Sequence, residues 1–159
     1  MATMNCPDCQ KNLVEIPTSH GPELDVCSSG HGLWLDVGEV NFFFFFYASL
    51  KRAMSGAGGV AVQTKTVCPQ CGDHMESETI AGTSFSSCDA CRGWWLPQGS
   101  LTHLNTTYRG AAVPIQIHEA ELYTRAAERH RALNDTSRDR PRVNKTRSNP
   151  LGLWFWVLF

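Results

Sequence analysis

Cys6-Pro7-Asp8-Cys9, followed by Cys27-Ser28-Ser29-Gly30-His31, recurs about sixty residues later as Cys68-Pro69-Gln70-Cys71 followed by Cys88-Asp89-Ala90-Cys91. The two copies together use all seven cysteines of the 159-residue chain. Agreement extends beyond the sulfurs: Leu13 falls on Met75, Leu24 on Phe85, Gly32 on Gly93, Trp34 on Trp95, Leu35 on Leu96 and Gly38 on Gly99. An internal repeat in which each copy delivers two short turns of soft ligands is the pattern that a tetrahedral zinc ion requires.

Seven cysteines cannot fill two four-cysteine sites, and where the second copy has Cys91 the first has Gly30. His31, one residue later, is the nearest group able to ligate. The first site therefore reads C-x2-C-x17-C-x3-H (Cys6, Cys9, Cys27, His31), and the second C-x2-C-x16-C-x2-C (Cys68, Cys71, Cys88, Cys91). Two zinc ions are expected, each with four protein ligands and no open position for water or substrate. Disulfides would need an oxidising compartment, yet Met1 to Gln10 holds no charged segment followed by an apolar one, so no secretory signal is expected. A thioredoxin-like role would call for a βαβ setting that the turn-rich flanks do not supply. His20, His74, His103, His118 and His130 are read as ordinary polar residues, because both ligand sets are complete without them.

Each unit holds roughly forty residues, the lower limit of what an apolar core stabilises alone. A structural zinc is worth on the order of 10 kcal/mol to such a unit, comparable to the whole stability of an ordinary domain. Metal binding is thus expected to decide folding.

At these residues the chain resembles the zinc ribbons of the transcription factor IIB type, common in small bacterial proteins. The resemblance rests on the CPxC knuckle, a hydrophobic residue four positions on, a second knuckle, and a Gly-x-Trp-Leu-Asp-x-Gly-Glu run entering a helix. The first copy carries that run as Gly32-Leu33-Trp34-Leu35-Asp36-Val37-Gly38-Glu39. The second keeps Gly93-Trp94-Trp95-Leu96 but then has Pro97, Gln98 and Ser100 in place of Asp36, Val37 and Glu39. What the resemblance implies is a zinc-binding fold, with no transcriptional role following from it alone. Asp36 and Glu39 stand three apart, as a capping box requires. The second copy lacks that pair, so its following helix is expected to be shorter or absent. Trp34 and Trp95 are expected to cover the hydrophobic side of the hairpin next to each metal.

The fold class expected is a small metal-stabilised α+β protein: two tandem zinc ribbons, each leading toward a helix, then a C-terminal helix and an extended tail. The segments are ribbon one (1–41), an aromatic apolar helix (42–54), a Gly-rich linker (55–66, with a short strand over Val60 to Thr66), ribbon two (67–104) and a connector (105–114). They continue with an amphipathic helix (115–134), a basic linker (135–150) and a hydrophobic tail (151–159). In the amphipathic helix Ile115, His118, Leu122, Ala126 and Leu133 recur at helical spacing, with Glu119, Glu121 and Arg125 on the surface.

Charge is divided along the chain. Residues 1–124 hold six Lys or Arg against twelve Asp or Glu, whereas residues 125–147 hold eight basic groups against three acidic ones. Acidic ribbons should repel phosphate, so direct DNA reading by them is disfavoured. The basic rear, including Arg138, Arg140, Arg142, Lys145 and Arg147, suits either a solvated linker or contact with an anionic surface of RNA or lipid.

Phe42, Phe43, Phe44, Phe45, Phe46 and Tyr47 form an aromatic run that two small ribbons offer little surface to bury. The last nine residues, with Trp154, Phe155, Trp156 and Phe159, contain no polar side chain, and as a helix would reach only roughly 14 Å, too short to span a bilayer. Both segments are expected to bind a protein assembly or a second copy, with peripheral membrane contact or folding back as the other options. No nucleophile, base and orienter can be assembled, so no catalytic residue and no small-molecule substrate are expected. The sequence thus points to a cytoplasmic interaction protein, the alternative being a transcription-related nucleic-acid binder using the basic segment.

Overall fold

The computed structural model describes residues 3–19, 21–44, 62–80, 82–107 and 118–138. Alternation of apolar and polar residues makes β1 (Val14–Pro17) and β2 (Glu23–Val26), with Val14, Ile16, Leu24 and Val26 buried on one face. β3 (Gly32–Leu35) is buried at every position, and the capped helix α1 (Val37–Phe43) follows it. The second copy adds β4 (Val62–Val67), β5 (His74–Ile80), β6 (Thr83–Ser87) and β7 (Trp94–Pro97). Two further helices follow, α2 (Ser100–Thr107) and α3 (Glu119–Arg138).

The two ribbons are not beads on a string. Among the described residues all seven strands form one sheet in the order β1-β2-β3-β7-β6-β5-β4, and the copies meet at its centre. β3 and β7 pair antiparallel with Gly32 opposite Pro97, Leu33 opposite Leu96, Trp34 opposite Trp95 and Leu35 opposite Trp94. The register is centred on the Trp34–Trp95 pair, so a pseudo-twofold relates the copies there. Short apolar runs such as Leu33-Trp34-Leu35 and Trp94-Trp95-Leu96 are what a strand covered on both faces needs.

The two faces have different coverings. On one, Leu33, Leu35, Trp94 and Leu96 join Val14, Ile16, Leu24, Val26, Ile80 and Phe85 beneath Val40 of α1, Leu101 and Leu104 of α2, and Leu122, Tyr123 and Ala126 of α3. On the other, Trp34, Trp95 and Met75 pack with the buried cysteines. A common sheet also changes the fate of the aromatic run. Phe43 and Phe44 pack against the helix-side core, and Phe44 stacks on Trp94 at 5.3 Å between centroids. Phe42 and Phe43 are the last residues of α1 rather than the start of a separate helix, and Phe42 remains 46% exposed beside Gly21. The surface missing from two separate ribbons is supplied by joining them. Phe45, Phe46 and Tyr47 lie outside the described residues.

The outer edges of the sheet are both protected. α3 lies along β1, where the Arg125 and Arg129 guanidinium groups donate to the carbonyls of Pro17 (2.9 Å) and Glu15 (2.6 Å). On the opposite edge, β4 shifts register between Gln63 and Val67, and Lys65 stands on it exposed. A bulge and an edge lysine both discourage further strand addition.

α1 opens with the expected capping box: the Glu39 amide donates to Asp36 Oδ1 (2.9 Å) and the Asp36 amide to Glu39 Oε2 (2.7 Å). The expectation for the second copy fails. α2 has eight residues against seven for α1, because its missing cap comes from another element. Glu119, at the start of α3, is 5% exposed rather than on the surface, and its carboxylate accepts from the amides of Gly99 (2.7 Å) and Thr102 (3.0 Å). The hydroxyls of Thr102 (2.9 Å) and Tyr123 (3.0 Å) complete its shell. Burial first, then the Glu119 charge, pushes the Tyr123 phenol up, which keeps it a donor. α3 itself extends beyond the expected end at residue 134 to Arg138, and Leu133 is 56% exposed while Tyr123 takes the core position.

Two outcomes follow from the caps. Glu119→Ala leaves four donors, the buried Tyr123 hydroxyl among them, without their acceptor and should lower the unfolding free energy of the zinc-loaded protein by about 3 kcal/mol in a denaturant titration, with Glu119→Gln recovering part; an unchanged midpoint would show the cap to be dispensable. Glu39 is pushed from 4.5 up to about 8, first by burial, against the pull of the Asp36 amide and with a further push from the Asp36 and Asp25 carboxylates. A carboxyl raised in the folded state contributes stability that is fully present below 4.5 and is lost as pH rises toward about 8. Glu39→Gln, which keeps an acceptor for the Asp36 amide, should therefore gain on wild type across that window when unfolding midpoints are compared at its two ends.

Candidate metal centres

Four tight turns bring the ligands together, and backbone hydrogen bonds set each one. In the first knuckle of each copy the amide four residues past the leading cysteine returns to its carbonyl: Gln10 to Cys6 and Gly72 to Cys68, both at 2.9 Å. The leading amides close the loop from the other side, Cys6 to Lys11 and Cys68 to Asp73, both at 2.8 Å. Cys27 donates likewise to Gly32 (3.0 Å) and Cys88 to Gly93 (2.9 Å). The second knuckles then diverge. Arg92 returns to Cys88 at 2.7 Å with φ +61°, whereas in the first copy Gly30 returns to Cys27 at 2.9 Å with φ +80°. The left-handed residue has moved one place earlier, which frees position 31 for an imidazole that reaches further than a thiol. Glycine at position 30 accepts that conformation without strain.

Cys6, Cys9, Cys27 and His31 form one group and Cys68, Cys71, Cys88 and Cys91 the other, with the ligand atoms of each group within 4.8 Å of one another. Thiolates at ~2.3 Å from a tetrahedral zinc lie roughly 3.8 Å apart, whereas a disulfide requires ~2.05 Å. The sulfurs are separated by 3.7 Å (Cys9–Cys27), 3.5 Å (Cys68–Cys91) and 3.4 Å (Cys71–Cys88). His31 Nδ1 lies 3.4 Å from Cys27 Sγ and 3.9 Å from Cys6 Sγ, so Nδ1 is the ligand atom. None of the seven cysteines forms a disulfide. These spacings and donor sets fit two zinc ions.

Electrostatics give the same answer. Burial pushes the Cys6 thiol up to about 12, against amide donors from Cys9 and Asp8, and burial likewise pushes the Cys68 thiol up. Cys9 goes the other way, to about 7: burial opposes ionisation, and the Lys11 amide with the neighbouring thiols and His31 overcomes it. Cys6 and Cys68 therefore need a cation beside them to ionise, and zinc supplies that charge. The zinc ions tie the strand ends together. The centres differ in their surroundings. Lys11 Nζ donates to Ser29 Oγ at 2.9 Å, bridging the two knuckles of the first site. The second site has Asp73 and Ala90 at those positions.

His74, His103, His118 and His130 lie outside both groups, with His130 Nδ1 instead 3.2 Å from the Asn134 amide nitrogen; His20 is outside the described residues. Trp154, Phe155, Trp156, Phe159, Arg140, Arg142, Lys145 and Arg147 also lie outside them, while Arg138 ends α3. Among the described residues no helix is long and apolar enough to cross a membrane. Sequence reasoning missed Glu119 and the two arginines on the edge of β1. A vacant cap in the second copy was the signal for Glu119, since a helix start without its own acceptor must find one elsewhere.

Removing a ligand tests the assignment: His31→Ala should carry fewer than two zinc ions per chain by elemental analysis, and His74→Ala should keep both. A chelator should abolish the folded near-ultraviolet signal of Trp34 and Trp95; its persistence without metal would show that the ions do not hold the sheet.

Comparison with known families agrees with this geometry. The family model described as transcription factor zinc-finger matches residues 5–41 and 67–106. No curated protein and no solved structure matches the chain. The matched stretches contain both ligand sets, both Trp strands and most of the helix that follows each, and both segments belong to the transcription factor IIB-type zinc-ribbon family.

Proposed function

We propose that the chain is a non-enzymatic interaction module of the cytoplasm, in which two structural zinc ions hold a rigid acidic platform and the apolar ends bind a protein assembly. The observation that carries this reading is the closure of both ligand sets by protein side chains, which leaves each ion no position for a substrate or an activated water. Charge favours a protein partner over a nucleic acid. Asp25 is pushed up to about 6 by burial and by the carboxylates of Glu15, Asp36 and Glu23, a sign of concentrated negative potential on the first ribbon. Phosphate backbones are repelled from such a surface. Of the basic groups that follow, Arg125 and Arg129 are engaged with carbonyls of β1, which takes them from any phosphate-binding stripe.

Affinity capture with the full chain and with a chain ending at Asn149 provides the test. Specific partners recovered by the full chain and lost by the shorter one are expected; equal recovery would remove the tail from the mechanism. The competing reading, nucleic-acid binding through the basic segment, requires a gel shift at low salt that weakens steeply as salt is raised. No shift is expected.

A further inference from the structure

Trp34 and Trp95 face one another across the β3–β7 pair, yet each indole covers the second knuckle of the other copy. A Cβ on Gly93 would fall 2.7 Å from Cη2 of Trp34, and one on Gly32 would fall 2.9 Å from Cζ2 of Trp95. These glycines belong to the metal loops. Gly32 follows the ligand His31 directly, Gly93 lies two residues past the ligand Cys91, and their carbonyls receive the Cys27 and Cys88 amides. The floor of each centre is therefore built by its twin. A direct bond adds to the exchange, because the amide of Gln98 in the second copy donates to the carbonyl of His31 in the first at 3.1 Å. Cys6, Cys27, Cys68, Cys88, Met75 and both indoles form a single buried cluster, with Trp34 fully buried and Trp95 3% exposed.

We infer that the two centres are one cooperative metal-binding unit: zinc at either site sets the indole that completes the loop of the other, so the first ion raises affinity for the second. An unloaded first hairpin releases β3, withdraws Trp34 from Gly93 and uncovers the second centre. The exchange is reciprocal through Trp95 and Gly32. Coupling of this kind is a property of binding free energies and must be symmetric between the sites. Its route is a chain of direct packing contacts between ligand loops.

Native mass spectrometry of the full chain, stripped of metal under reducing conditions and given one zinc ion per molecule, reads the coupling directly. Independent sites leave about half of the molecules or more with a single ion, whatever their relative affinities. We expect chains with none and with two to dominate, the singly loaded form falling severalfold below that level. A singly loaded fraction of about half or more would overturn the inference. Trp34→Phe changes no ligand and shortens the ring over Gly93; it should raise the singly loaded fraction at least about twofold. The same fraction in that variant would overturn the route through the indole. Failure to take up zinc at any ratio would overturn the ligand assignment and this inference together.

Discussion

Zinc coordination is the interaction on which the remainder depends. Each ion joins the ends of the strands that carry its ligands, and it does so through turns whose own amides are satisfied within the loop. Burial alone would keep Cys6 and Cys68 protonated, so the same desolvation that makes the sulfurs part of the core makes them dependent on a cation. Core and metal site are thus one structure. The buried cluster that holds Trp34 and Trp95 also holds four of the ligand cysteines.

With the strand ends fixed, the sheet has one face for metals and one for helices. The helix face shows how a duplicated sequence accommodates divergence. The first copy caps its helix within four residues of chain, by Asp36 and Glu39, whereas the second relies on Glu119 from an element that the repeat does not contain. A carboxylate from outside the repeat stands in for the local cap, and it also fixes the start of α3 against α2. Further along α3, Arg125 and Arg129 give the exposed carbonyls of β1 the partners that a neighbouring strand would otherwise provide.

The ligand sets, their stoichiometry and the family were legible in the sequence, because thiol spacing is short-range and the fourth ligand could be found by elimination at His31. The capping box was legible for the same reason. What escaped was everything set by long-range placement: the joining of the ribbons through β3 and β7, the burial of Glu119, and the seating of Phe43 and Phe44. Leu133 misled because it recurs at helical spacing beyond the end of the strands that α3 covers. Tyr123 was overlooked because its hydroxyl hides its value as a core residue, although Glu119 gives that hydroxyl a buried partner. A vacant cap beside a distant acidic residue, and a paired Gly and Trp in each copy, were signals that single-copy reading could not interpret.

Pairing β3 with β7 about a local twofold has a consequence for how such a chain can grow. Isologous contact consumes the same surface on both partners and therefore closes, unlike the head-to-tail stacking of solenoids, which always leaves a free end for another unit. A third ribbon appended to this sequence would meet only the outer margins, one roofed by arginines and the other bent and charged. The β3–β7 junction closes on itself, so a further ribbon would have to join through a different contact.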